Sequence, residues 1–187
     1  MKTLYIERST GECRDGDWIG QLDLSERPER IVVGTGPGSF AGIRSALAFA
    51  QGYAIGSGCE VLGLPSPCAI AGELIASGSA AASGGKVAVV GDARRGKIWI
   101  ALFEGMSLLG EVIQVDQADL AVSIPAEFRV TTPDATRIDA MLRETFAERY
   151  LGGMLPTAEG LRVFAEANPA ALKPEPLPLY LNPAVRD

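Results

Sequence analysis

The stretch VVGTGPGSFAGIRSALAFAQG, Val32 to Gly52, decides how the chain is read. A short apolar run passes through Gly34, Gly36, Pro37 and Gly38 into an alanine-rich segment. From Phe40 to about Ile55, the residues Ile43, Leu47, Ala50 and Ala54 recur at helical spacing on one face, and Gly56-Ser57-Gly58 ends the pattern. So little side chain where a loop meets a helix has two physical readings. Either a ligand phosphate approaches the backbone, drawn by the unpaired N–H groups and dipole of the helix N-terminus, or another piece of protein does. A triphosphate P-loop needs G-K-[ST] at its end, whereas Gly42 is followed by Ile43 and Arg44. The dinucleotide fingerprint is met only at Gly34 and Gly36. Ser39 stands in place of its third glycine, and Pro37 removes a donor. Gly42, Ser45, Ala46, Ala48, Ala50 and Gly52 give the helix a thin surface. Each of its two glycines costs about 1 kcal/mol relative to alanine, a cost that close packing offsets, against the chain's own core or against a partner.

Outward from this stretch, Thr3–Glu7, Trp18–Leu24 and Arg30–Gly34 read as strands, and Val61–Leu64 as another. Ser66 is placed to cap a helix running to about Ala76. The run from Ser77 to Gly85 contains only Gly, Ser and Ala, a linker composition. It divides an N-terminal α/β lobe, 1–78, from a C-terminal lobe with an extended tail, 85–187. In the second lobe Lys86–Asp92 and Lys97–Glu104 read as a hairpin, and Leu108–Val115 and Phe128–Thr132 as strands. Asp116–Ala121 reads as a short helix. Asp134 and Thr157 are placed to cap helices that bury Ile138, Met141, Leu142 and Phe146, and Leu161, Phe164 and Ala165. From Asn168 onward the prolines are too dense for a helix or a central strand.

A second motif lies in VVGDARRGKIWIALFE, Val89 to Glu104, where Asp92 ends a strand, Arg94 and Arg95 enter the turn and Gly96 supplies its unusual backbone angle. The Asp with its two arginines either binds an anion or forms a salt-bridged turn. The 187 residues contain no histidine, which excludes Ser-His-Asp and Cys-His catalysis and any histidine-held metal. Cys13, Cys59 and Cys68 lack the spacing of zinc or redox motifs and read as free thiols. A net charge of −6 argues against strong independent nucleic-acid binding. With no apolar run long enough for a bilayer and no leader pattern, a cytoplasmic protein is expected.

The glycine motif GTGPGSFAGIRSALAFAQGYA resembles the G-x-G-P-G-S-F-T-G stretch of the TsaB (YeaZ) family. GDARRGKIWIALFE is similar to that family's D-A-R-[RM]-G-E-V-Y segment, and the tail PLPLYLNPAVRD to its P-x-Y-L-R ending. The resemblance implies an α/β, two-lobed actin/hexokinase-like ATPase fold (ribonuclease H-like). It implies a non-catalytic subunit that supports a TsaD-like catalytic subunit, together with a TsaE-like ATPase, in forming N6-threonylcarbamoyladenosine in tRNA. No cofactor and no catalytic or metal-binding residue is then expected, and tRNA is met only through the complex. The implied interface and family-motif residues are Gly36, Pro37, Gly38, Ser39, Phe40, Gly42, Arg44, Ser45, Ala48, Gln51 and Gly52, with Asp92, Arg94, Arg95 and Gly96 in the second motif. The front departs from the family. The first strand ends IERST, with Glu7 and Arg8 where Asp and Thr are expected, and only 26 residues, Ser9 to Gly34, lead to Thr35. A shortened N-terminal lobe lacking most of the first helix is the expectation. Two alternatives stand beside this reading: a nucleotide-binding phosphotransferase or glycoprotease-like peptidase, and a stand-alone homodimer.

Overall fold

The computed structural model describes residues 2–10, 22–25, 27–78 and 85–181. Strands β1 (Thr3–Ile6), β2 (Arg30–Gly34) and β3 (Glu60–Leu64) form a parallel sheet, closed at its β3 edge by the antiparallel pair of residues β10 (Lys173–Pro174). A second sheet runs β6-β5-β4-β8-β9, with β7 also paired to β5. Its strands are β4 (Lys86–Arg94), β5 (Lys97–Glu104), β6 (Ser107–Leu108), β7 (Ile113–Asp116), β8 (Arg129–Thr132) and β9 (Tyr150–Gly153). β4 and β5 are antiparallel, whereas β4, β8 and β9 run parallel.

The period-two alternation of the strands sorts their side chains into layers. Ile31 and Val33 of β2 face α1 (Phe40–Ser57), packing with Ile43, Ala46, Leu47 and Ala50. Val32 between them points the other way. It joins Leu62 and Leu64 in a central layer filled by α2 (Pro67–Ala76) and α5 (Ala158–Ala167). Val89, Trp99, Ala101 and Phe103 close that layer from the second sheet. On the far face, Ala88, Val90, Ile98 and Ile100 meet α3 (Leu120–Ser123) and α4 (Ala135–Phe146) through Leu120, Ile138, Leu142 and Phe146. The order of layers is thus α1, first sheet, α2 with α5, second sheet, α3 with α4.

The two central helices meet at glycines. A Cβ on Gly72 would overlap the carbonyl of Gly160, and one on Gly160 the carbonyl of Ala69. The Glu73 carboxylate accepts hydrogen bonds from the Thr157 hydroxyl and from the Gly160 N–H, 3.1 Å away, so α2 helps to cap α5. Strands β1 to β3 precede residues 77–85 and the strands of the second sheet follow them, yet α5 and β10 return to pack on β1, α2 and β3.

Several sequence expectations change. Leu108–Val115 is two short strands, because the chain turns at Gly110, whose φ is +77°. The short helix at Asp116–Ala121 is a 3-10 turn, Gln117–Asp119, followed by α3. Ser66 and Asp134 precede α2 and α4 but neither side chain caps its helix, since both are engaged elsewhere. Thr157 does cap α5, accepting from Gly160 N at 2.9 Å. The strand expected at Trp18–Leu24 lies mostly outside the described residues, and Leu22–Leu24 are not strand. Strand β9 was not expected: Leu151 and Met154 flank two glycines, a composition that reads as a loop. Between Ile6 and Arg30 the described residues form no helix. No helix among the described residues is long and apolar enough to cross a membrane.

Candidate functional site

β1, β2 and β3 end together, and the glycine loop leaves β2 at that carboxyl edge, where open α/β sheets place their ligands. Here the chain itself occupies the space. A Cβ on Gly34 would overlap the Glu7 carboxylate, one on Gly38 the Ser9 carbonyl, and one on Gly42 the Arg8 carbonyl. Ser9 O accepts from Ser39 N at 2.5 Å, and Leu64 O from Thr35 N at 2.8 Å. Gly36 N donates to Ser66 Oγ at 3.0 Å, and Ser66 Oγ donates to Glu7 Oε1 at 3.2 Å. That carboxylate also accepts from Ser9 N at 2.7 Å. Gly34, Gly38 and Gly42, spaced by four, are therefore the floor on which the segment Glu7–Ser9 lies. Of the two readings of the motif, close approach of protein is the one the structure displays at these three glycines.

Gly36 and Gly38 hold φ of +93° and +153°, angles that a side chain resists. The Gly36–Pro37 peptide is cis. Ser39 caps α1, its Oγ accepting from Gly42 N at 3.3 Å. The Glu7 carboxyl is enclosed, and Oε2 has neither solvent nor a hydrogen-bond partner among the described residues. Burial pushes its pKa above the ordinary carboxylate range, against the pull of the hydrogen bonds from Ser9 and Ser66. Burial, aided by the nearby Glu7 charge, likewise pushes up the buried thiol of Cys68. Cys59 is half-buried, and Cys13 lies outside the described residues.

The outer face of α1 is open. Ala41, Arg44, Ser45, Ala48, Gln51 and Gly52 are exposed, and so are the large apolar side chains Phe40 and Ile55, at 58% and 89%. Among the described residues a Cβ on Gly52 would meet nothing within 4 Å, so this glycine serves no packing with them. Ala41, Ser45, Ala48, Gly52 and Ile55 follow one another at steps of four and three, a straight seam along the helix. Arg44 lies over the Phe40 ring at 4.9 Å, and the Tyr180 ring sits 5.8 Å from that of Phe40.

The second motif forms a salt-bridged turn. Arg94, Arg95 and Gly96 have φ of +70°, +53° and +73°, and the Asp92 carboxylate accepts from Arg94 N at 2.8 Å. Arg94 still pairs with Lys97 across the hairpin, so the two-residue turn is Arg95–Gly96. The Asp92 carboxylate lies 3.3 Å from the Arg94 guanidinium and 3.4 Å from that of Arg137. Asp134, whose side chain the sequence assigned to a helix cap, instead accepts from Asp92 N at 3.0 Å and faces Arg137 at 3.4 Å. Burial raises the Asp134 pKa, only partly offset by that N–H and by Arg137. The carboxylates take the Arg94 and Arg137 charges, while Arg95 stays exposed at the tip.

The sequence did not single out Glu7 and Ser66 as a linked pair, nor the contact of Tyr180 with Phe40. The four-residue spacing of Gly34, Gly38 and Gly42 is the one signal that could have announced a segment of chain lying across the loop. The Tyr180 contact joins residues too far apart in the chain for any local pattern to show.

A family model described as TsaD, tRNA N6-adenosine threonylcarbamoyltransferase, matches residues 19–164. Among curated proteins, uncharacterized proteins of Mycobacterium tuberculosis H37Rv and Mycobacterium bovis are 35% identical over 86 residues. That stretch is 46% of this chain but 36% of each relative's length. Two solved structures from Pseudomonas aeruginosa align with a TM-score of 0.65. One is described as an uncharacterized protein with similarity to peptidase YeaZ, and is 24% identical over 83% of this chain and 74% of its own. The other is YeaZ, 23% identical over 82% of this chain and 74% of its own. The chain belongs to the TsaD family and has the YeaZ fold, the two-lobed α/β architecture that the glycine motif led us to expect.

Proposed function

We propose that this protein is a non-catalytic partner subunit in the synthesis of N6-threonylcarbamoyladenosine in tRNA, docking a TsaD-like catalytic subunit through the outer face of α1. The observation that carries the reading is that face: an 18-residue helix with one side in the core and, on the other, a seam of small residues ending in exposed Phe40 and Ile55. Exposed apolar patches of this kind mark interaction sites, and small residues let a second helix approach closely. Two further features support a non-catalytic role. The chain has no histidine, and the loop that a phosphate would enter is filled by Glu7–Ser9.

The test is reconstituted threonylcarbamoylation with the TsaD-like subunit, its ATPase subunit, the activated threonine donor and tRNA. Ser45→Glu or Ala48→Glu puts a carboxylate into the seam, and desolvating an unpaired charge there costs several kcal/mol. Both positions are exposed, so the fold should survive while association and activity fall together. Full activity with these variants, or without this protein, would remove the basis for the proposal.

A further inference from the structure

After β10 the chain runs on as a strap beside α1. Pro176 packs against Gly63, where a Cβ would overlap its ring, and its carbonyl accepts from Gln51 Nε2 at 3.5 Å. Leu179 N donates to Thr35 O at 2.8 Å, and Tyr180 ends against Phe40. The strap thus returns along α1 from Gln51 to Phe40, eleven residues or about 16 Å of helix. Its inward contacts are made by Pro176, by the backbone of Leu179 and by Leu181, which packs on the central layer, so burial in the fold accounts for neither Leu177 nor the exposed part of Tyr180. Yet these two turn outward, 75% and 55% exposed. They form a wall beside the α1 seam, continuous with exposed Phe40.

Arg44 says what sits against this wall. It is the one charged side chain of α1 and packs on an aromatic ring, with no carboxylate in salt-bridge range among the described residues. In a second copy docked with α1 against α1, the opposing helix would bring no carboxylate to it, because α1 contains none. We propose that Leu177, Tyr180, Phe40 and Arg44 together form the anchor for a helix of a different protein, one that presents an apolar stripe and a carboxylate. Tyrosine and arginine are the residue types that carry the largest shares of interface energy, and a carboxylate over Arg44 fixes the helix's register. This inference rests on the α1 docking reading above.

The probe is the TsaD-like subunit of the same organism, with affinity measured by calorimetry and self-association by sedimentation. Leu177→Ala with Tyr180→Ala should weaken binding at least tenfold while leaving the melting temperature unchanged. Should that pair disturb the fold, Leu177→Ser alone, at a side chain three-quarters exposed, gives the same test. Arg44→Gln should weaken binding and reduce its dependence on salt. Unchanged affinity of the strap variants, with Ser45→Glu still disruptive, would overturn the anchor and leave α1 docking standing. Unchanged affinity in all of them would overturn both. A loss of self-association alone would make the occupant a second copy and overturn the choice of a different protein.

Discussion

Two glycines on one helix should respond differently to the same substitution. Replacing glycine by alanine inside α1 gains about 1 kcal/mol of helix propensity at either Gly42 or Gly52. At Gly52 the new methyl meets nothing within 4 Å among the described residues, so Gly52→Ala should stabilise the protein by about that amount. At Gly42 the methyl would overlap the Arg8 carbonyl, a backbone atom that cannot rotate away. Overpacking of this kind costs about 1–3 kcal/mol, enough to cancel or outweigh the gain. The propensity term is common to both variants, so they should separate by the overpacking cost, about 1–3 kcal/mol. For a chain of this size each kcal/mol moves the melting temperature by about 2–4 °C. Urea unfolding of the wild type and both variants, followed by far-UV circular dichroism, measures the difference directly. If Gly42→Ala stabilised the protein as much as Gly52→Ala, the segment Glu7–Ser9 would not lie on the glycine loop. The account of the motif as a bed for the chain itself would then fail.

Two further predictions follow from the same corner of the fold. Because the Glu7 pKa is raised in the folded state, its contribution favours folding at low pH and is lost as pH rises through the raised value. The wild type should therefore lose stability relative to Glu7→Gln as pH climbs from the ordinary glutamate range. Parallel stability–pH curves for the two proteins would show that the carboxyl is solvated. With Glu7–Ser9 lying in the loop and no lysine in the motif, the isolated chain should bind no ATP in the micromolar range. A low-micromolar site found by calorimetry would contradict this.

How much was legible in the sequence depended on whether a feature is local. The helix Phe40–Ile55 was readable because Ile43, Leu47 and Ala50 repeat with its period, and the structure extends it by two residues. The hairpin around Arg95–Gly96 was readable because two β-rich runs flank a glycine turn. Ser66 and Asp134 were misread as caps because the competing partners, Glu7 and Gly36 for one and Asp92 for the other, lie roughly 30 to 60 residues away. Strand β9 was missed because it is held by pairing with β8, not by its own propensity. At the candidate site, Ser45, Ala48 and Gly52 of the α1 seam were among the small residues the sequence picked out, but Ala41 and Ile55 were not, and Ala46 and Ala50 of the same set face the core. Which glycine faced the core and which faced solvent could not be read, since Gly42 and Gly52 differ only in what the rest of the chain brings to them.

The return of α5 and β10 to the first sheet has a bearing on how the protein comes off the ribosome. Domains usually close in the order of synthesis, the N-terminal part first. Here the first 78 residues emerge with one face of their sheet covered only in part, by α2. Leu62, Leu64 and Ile70 wait for Leu161 and Phe164, and the edge of β3 waits for Lys173 and Pro174. About a hundred residues, including the whole second sheet, are made before those partners exist. The nascent first half therefore carries an open strand edge and a partly covered apolar face while the second sheet is being made, the two features that invite wrong pairing. The Gly72–Gly160 contact is the point at which that exposure ends, and the last helix completes the first half of the molecule.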